Sequence, residues 1–358
     1  MEQNDADEII DGNGLDDDTV PEISYDISSY GADYDTEGLV KRINRGDIEI
    51  PIFQREYVWR INEASRFIES LLLGLPVPGI FLAKEKDSNK LLVIDGQQRL
   101  KTLQFFYDGY FNPKPDDKKR TVFSLKKVQN RFEDATYNDL AEEDRRKLND
   151  YLIHATIIKQ EAPQNDNTSI YHIFERLNSE GRKLTEQEIR TAIYHGPLLA
   201  LIAELNSNLS WRDIFGKKSA RMRDQELILR FFAFQSMLTS YKKPMTEFLN
   251  VFAQTSRNLE IERQETMRRQ FVSAIERVHS AIGKGAYKLG ANINAAVFDS
   301  ITVTVASDES LSGDRLSRFY EKTLGDSDYR KAVTEATSDE TSVKNRFLIA
   351  GRILNEER

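Results

Sequence analysis

Between residue 37 and about residue 160 the hydrophobic positions change period several times, which marks a region of mixed strands and helices. In DIEIPIFQREYVW, Ile48, Ile50 and Ile52 alternate with Asp47, Glu49 and Pro51, the period of two of a half-buried strand, and Pro51 confines it to a sheet edge or ends it early. Asn62 is placed to cap a helix whose Phe67, Ile68, Leu71 and Leu72 share one face, with Gly74 and Pro76 to stop it. Two apolar runs, Ile80 to Ala83 and Leu91 to Ile94, flank a polar turn too short for a parallel crossover, so they predict an antiparallel hairpin. Directly afterwards Leu100, Leu103, Phe106 and Tyr107 fall at helical spacing, and Asp108-Gly109 closes that helix. Residues 111–135 read as a basic, polar insertion with one short strand, and Leu152 to Ile158 as a further strand.

Beyond that point the pattern is helical. Amphipathic stretches are expected at 168–177, 185–195, 224–239, 245–283 with a break, 289–306 and 341–354. Thr185 and Glu188 form a capping box, with Leu184 and Ile189 as its hydrophobic staple. Arg190, four residues after Glu186, predicts a surface ion pair, and His195 before Gly196-Pro197 reads as a structural residue at a helix end. The expected fold class is therefore an α+β domain with a small mixed sheet at 37–162, followed by an all-α domain at 163–358.

Charge changes the picture at the amino terminus. Of 358 residues, 39% are hydrophobic and 30% charged, with a net charge of -8. Twelve of the 58 acidic residues and none of the 50 basic ones lie in residues 1–36, leaving 46 acidic against 50 basic and a body of +4. Such a head has little apolar surface to bury and is expected to be a disordered acidic tail. The absence of cysteine excludes disulfides, thiolate zinc sites, cysteine nucleophiles and iron–sulfur clusters. His154, His172, His195 and His279 show no metal-ligand spacing. No apolar run approaches the ~20 residues of a membrane span, and the amino terminus lacks the pattern of a signal peptide, so a cytoplasmic protein without membrane contact is expected.

The chemistry concentrates in LLVIDGQQRLKTL, residues 91–103. An apolar strand, a tight Asp95-Gly96 junction and a helix opening on two amides and an arginine make a ready anion site, because helix starts present N–H groups and a partial positive charge. Gly96 admits a phosphate close to the backbone, Arg99 offers a forked donor, Gln97 and Gln98 add neutral donors, and Thr102 lies one turn on. The other reading of the same residues makes Asp95 an N-cap, Gln98 its capping-box partner and Arg99 a solvated neighbour. In FQREYVWR, Gln54, Arg55 and Arg60 stand beside Tyr57 and Trp59, either as phosphate donors next to stacking rings or as the polar neighbours of core aromatics. A third group, Arg176, Asn178 and Arg182, crowds polar donors around one turn ending at Gly181.

At these clusters the sequence resembles a known family. IPIFQREYVW, SLLLGLPVPGIFL, VIDGQQRLKTL and FERLNSEGRKLTEQEIRTAIYHG are similar to the amino-terminal domain of GmrSD-type, modification-dependent restriction systems and their anti-phage relatives, over roughly residues 35–200. The resemblance implies a ParB/sulfiredoxin-like fold whose DGQQR loop binds nucleoside triphosphate (GTP, ATP or CTP) with Mg2+. From their positions at this turn Asp95 and Arg99 are expected to be catalytic, Arg99 holding and neutralising the phosphates and Asp95 orienting the metal's water shell or the attacking water. Gln54, Arg55, Gly96, Gln97, Gln98, Thr102, Arg176 and Asn178 are expected to bind nucleotide and phosphate. It further implies action on DNA, including modified phage DNA, with hydrolysis coupled to cleavage. One departure stands out: His279 is the last histidine, so the His-Asn-His nuclease of cleaving relatives is not expected here. A nuclease partner and self-association complete the expected interactions. Two functions follow, a Mg-dependent triphosphatase in restriction or defence, or a non-hydrolysing DNA- or nucleotide-binding adaptor for a nuclease. Basic stretches at Lys118 to Arg120, Lys126-Lys127, Arg145 to Lys147 and Lys217 to Arg223 serve the DNA side of either.

Overall fold

The computed structural model describes residues 26–50, 57–84, 90–114, 119–162, 171–173 and 184–357. They fall into two compact units, Ile23–Leu184 and Thr185–Arg358. The first is an α+β unit and the second is helical, as the periodicity predicts.

In the first unit the strands are β1 (Asp26–Asp35), β2 (Ile48–Glu49), β3 (Ile80–Lys84), β4 (Leu91–Asp95) and β5 (Leu152–Ala162), and the helices are α1 (Thr36–Arg45), α2 (Ile61–Leu72), α3 (Gln97–Asp108) and α4 (Glu142–Asn149). The sheet order is β1-β5-β3-β4-β2. β1 runs antiparallel to β5, β5 parallel to β3, β3 antiparallel to β4 and β4 parallel to β2. The hairpin of β3 and β4 forms as its polar turn dictates, and β2 lies at an edge, where Pro51 can follow without breaking a ladder.

Strand alternation splits the sheet into two faces. On one, Ile80, Leu82, Val93, Ala155 and Ile157 pack into a buried core with Leu39 and Val40 of α1, Phe67, Ile68, Leu71 and Leu72 of α2, Leu100, Leu103 and Phe106 of α3 and Leu148 of α4. Ala83, Leu92, Ile94 and Ile158, on the other face, are buried as well. Removal of this apolar surface from water is the main stabilising contribution, at about 25 cal/mol per Å2.

Several local expectations are corrected. The acidic stretch does not stay without structure as far as residue 36: β1 pairs along its length with β5, from Asp26 opposite Ala162 to Asp35 opposite Leu152. The side chain of Asp35 then accepts from Gly38 N at 2.6 Å and caps α1. Asn62 is not the cap of α2, which begins at Ile61 behind Arg60, whose N–H donates to Glu63 Oε2 at 2.7 Å. The insertion at 111–135 contributes a single bridge, Tyr110 to Val122, instead of a strand among its described residues. Of the helix expected at 168–177, only 171–173 lie within the described residues, and they are helical.

The second unit contains α5 (Glu186–Ile193), α6 (Pro197–Leu205), α7 (Leu209–Phe215), α8 (Arg223–Met237), α9 (Met245–Thr255), α10 (Ile261–Ile282), α11 (Ala295–Ser307), α12 (Gly313–Gly325), α13 (Ser327–Thr334) and α14 (Glu340–Glu356). α6, α7, α12 and α13 lie outside the amphipathic stretches expected from the sequence. α11 starts at Ala295 and not near 289 because Asn294 caps it, accepting from Val297 N at 2.9 Å. The interior joins aromatic packing to buried polar groups: Trp211 Nε1 donates to Asn206 Oδ1 at 3.0 Å. Asp224 Oδ2 accepts from Asn206 Nδ2 and Arg212 Nη1, both at 2.9 Å. The capping box forms, with Thr185 N donating to Glu188 Oε2 at 2.6 Å and Glu188 N to Thr185 Oγ1 at 3.2 Å. Arg190 is no surface residue: it is fully buried, Nε donates to Asn250 Oδ1 at 2.9 Å, and the Glu186 carboxylate is 3.9 Å away.

Candidate functional site

The strand-to-helix junction anticipated from DGQQR is built as a tight turn. β4 ends at Asp95, Gly96 caps α3 with φ 96° in the left-handed region, and Leu100 N donates to Gly96 O at 2.9 Å. Glycine is required here twice over. Its φ disfavours any L side chain, and a Cβ at this position would lie 2.4 Å from Ile80 Cγ2. With glycine as the cap, no cap side chain stands over the first turn of α3, where backbone N–H groups and the helix dipole favour an anion.

Of the two readings of Asp95, the N-cap reading fails. Its carboxylate turns to Arg99, with Nη2 2.9 Å from Oδ2, and Gln98 makes no capping box. Arg99 is also tied to the backbone ahead of β3: Nη1 donates to Pro78 O at 2.7 Å and, more closely, to Gly79 O. The side chain of Arg99 is 16% exposed and that of Asp95 41%. The arginine therefore rivets α3 to the start of β3, while the Asp95 carboxylate stays accessible. Three of the five guanidinium donors are spent on these partners.

Gln98 and Thr102 hold the chain that follows the QR element. Gln98 Oε1 accepts from Val58 N at 3.1 Å and from Trp59 N at 3.4 Å. Thr102 Oγ1 donates to Gln98 O and meets Tyr57 Oη, both at 2.7 Å. Thr102 is fully buried, so the expectation that it meets a phosphate is corrected: its hydroxyl is enclosed beneath Tyr57 and positions the signature helix. Tyr57 packs edge-on against Phe105 and Phe111 and Trp59 packs on Phe67, so the core reading of these aromatics holds in place of base stacking. Burial pushes the Tyr57 phenol up to about 12, against the lowering effect of its bond to Thr102. Sequence reasoning weighed Tyr57 only as a ring; its hydroxyl contact with Thr102 crosses 45 positions and has no local signal.

Gly96, Gln97 and the Asp95 carboxylate thus remain at the mouth of the turn, with Gln97 mostly buried. Gln54, Arg55, Arg176 and Asn178 lie outside the described residues. Among the described residues no three His, Asp or Glu side chains gather as a metal site. Mg2+ needs no such cage, since it keeps several waters and is bound through one or two carboxylates plus phosphate oxygens. A single accessible carboxylate beside a phosphate-favouring turn fits that manner of binding. Among the described residues no helix is long and apolar enough to cross a membrane.

With this geometry established, comparison with known families finds a match over part of the chain. Residues 36–195 match the family model described as the GmrSD restriction endonuclease, N-terminal domain, so that the matched segment takes in the sheet from α1 onward, the Asp95-Gly96 turn and the start of the helical unit. A search of curated proteins found no match to the chain.

Proposed function

We propose that this chain, which carries the N-terminal domain of the GmrSD restriction family, binds and hydrolyses a nucleoside triphosphate as a component of a restriction or anti-phage system acting on DNA. The observation that carries the reading is the Gly96 turn. It opens the amino-terminal end of α3 without a cap side chain and sets the accessible Asp95 carboxylate beside it. In this reading Gly96 and Gln97 receive the phosphates on backbone N–H groups, and Asp95 holds water of the Mg2+ shell. The metal supplies neutralisation of the charge that develops on the transferred phosphoryl group. Arg99 keeps Asp95 and the Pro78-Gly79 backbone in register and lends positive charge to the phosphates from 16% exposure. Gln98 and Thr102 clamp Tyr57, Val58 and Trp59 beside the signature helix.

In this reading DNA is the partner, and a nuclease acting together with this chain carries out the cleavage. A second reading has its own support: with three Arg99 donors spent on Asp95, Pro78 and Gly79, the turn could grip a triphosphate without turnover. Phosphate release by the purified protein with Mg2+ and GTP, ATP or CTP, with and without DNA, separates the two. The expected result is turnover that falls by roughly 100-fold or more in Asp95→Asn, with Arg99→Lys lowering triphosphate affinity as well. Binding without turnover selects the nucleotide-gripping adaptor, and no binding of any triphosphate refutes both nucleotide readings and leaves the DNA-binding adaptor.

A further inference from the structure

The signature helix carries a second cation besides Arg99. Lys101 lies on α3 four residues after Gln97 and three after Gln98, so it shares their flank of the helix. Helical side chains lean toward the amino-terminal end, which takes the Lys101 stem back over the first turn. That flank is bounded on both sides. Gln98 Oε1 accepts from Val58 N and Trp59 N, and Gln104, three residues after Lys101, donates from Nε2 to Asn44 Oδ1 of α1 at 2.7 Å. Between them Lys101 is half-buried.

Among the described residues the Lys101 ammonium has neither a hydrogen bond nor an ion pair. The carboxylates on the neighbouring stretches of chain are engaged elsewhere: Asp95 with Arg99, Glu49 with Lys90, Asp47 with Arg45, Asp108 with Asn44 and Glu63 with Arg60 N. Burial pulls the Lys101 pKa below its usual value, with desolvation as the cause. Hydrogen bonds to Asp134 and Asp213 push Lys126 and Lys284 the other way. The desolvation acts on the ammonium itself, so the side chain is not simply laying its stem on the surface with its charge in water. α3 has no acidic residue in its first turn, and the positive end of the helix dipole disfavours a cation beside it. Lys101 therefore carries a desolvated charge that Asp95 does not neutralise, in a place where an anion from outside the chain relieves both costs.

We propose that Lys101 is a phosphate-binding residue of the Gly96 turn, taking oxygens of the bound nucleoside triphosphate beside the first-turn N–H groups, a role that rests on the nucleotide reading above. Arg99 and Lys101, two residues apart, lie on different flanks of α3 and bracket those N–H groups between them. The two cations divide the work. Arg99 spends three donors on Asp95, Pro78 and Gly79 and holds the turn in shape, whereas Lys101 keeps all three of its N–H donors and its whole charge for the ligand.

The test uses the full chain, with the affinity for GTP, ATP and CTP in the presence of Mg2+ and the melting temperature measured on wild type, Lys101→Met and Lys101→Arg. Methionine keeps an unbranched stem and removes the charge; arginine keeps the charge. The expected result is an affinity lower by roughly 10-fold or more in Lys101→Met, the worth of one charge-assisted hydrogen bond, with part of it recovered in Lys101→Arg. The affinity of Lys101→Met should also fall less steeply as salt is raised. Without nucleotide, Lys101→Met should melt at or above the wild-type temperature, because a desolvated charge without a partner has been removed. Affinity of Lys101→Met within about threefold of wild type overturns the role of Lys101 and leaves the nucleotide reading standing. A Lys101→Met chain that melts well below wild type without nucleotide also overturns it, since a lysine needed by the fold then accounts for the lost binding. Wild type that binds no triphosphate overturns the role of Lys101 together with the nucleotide reading.

Discussion

The sheet unit and the helical unit each contain an Asp–Arg pair of nearly the same length, with opposite surroundings. Asp95 and Arg99 meet at 2.9 Å with side chains 41% and 16% exposed; Asp299 and Arg230 meet at 2.7 Å with 0% and 6% exposed. Arg346, fully buried, adds a third member, donating to Asp299 Oδ2 at 3.1 Å and to Thr337 O. Burial lowers the Arg346 guanidinium pKa, opposed by the attraction of Asp299. In the interior each charge depends on the others, because removing one leaves the rest desolvated and uncompensated. At the end of β4 the Asp95 carboxylate is 41% exposed, so water can take over a lost partner there. Contact length alone does not separate a structural pair from one available to chemistry; exposure does.

The largest effect that would break this comparison is expected from Asp299→Asn, which leaves Arg230 and Arg346 without their carboxylate. A loss of about 3–5 kcal/mol, seen as a melting temperature lower by roughly 10 °C or more, is the expected outcome, against under about 1 kcal/mol for Asp95→Asn. Equal losses in the two variants would refute the distinction. Next comes Gly96→Ala, which forces φ 96° on a side chain whose Cβ meets Ile80 at 2.4 Å. Its expected cost is about 1–3 kcal/mol in thermal unfolding, with triphosphate affinity falling further than in any variant that leaves the turn intact.

The smallest effect sharpens the contrast through pH. Folded Tyr57 keeps its proton to about 12, whereas an unfolded tyrosine loses it near 10. Its contribution is therefore complete below about pH 10 and lost as pH rises from there toward 12. Tyr57→Phe should lower stability at neutral pH by about 1 kcal/mol, the worth of one hydrogen bond. In urea titrations it should also fall less steeply than wild type between pH 10 and 12. Parallel curves would show that the Tyr57 phenol is not held by Thr102 and the surrounding rings.

Much of this was legible along the chain because it is written in neighbouring residues. The polar turn between Ile80–Ala83 and Leu91–Ile94 dictates a hairpin, Leu100, Leu103 and Phe106 dictate α3, and Thr185 with Glu188 dictates the cap of α5. The DGQQR stretch located the turn itself and, with its neighbouring motifs, the family model that residues 36–195 match. What failed involved partners far apart. β1 reads as acidic tail because its support is β5, more than a hundred residues later. Arg190 reads as a surface residue because the spacing to Glu186 is local and the bond to Asn250 is not. Thr102 reads as a phosphate donor because spacing places it one turn beyond Gln98, while only the arrival of Tyr57 covers it.

The sequence by itself therefore determined the β3–β4 hairpin, α3, the α+β and helical halves and the place of the Gly96 turn, since each follows from periodicity, turn chemistry and capping within a few residues. Tertiary structure alone decided which polar groups stay in contact with water. It enclosed Thr102 and Arg190, left Asp95 accessible, and set His154 against Asp33. Exposure and long-range register are properties of the packed chain: they depend on which distant strand or helix arrives to cover a residue, and no local pattern encodes that arrival.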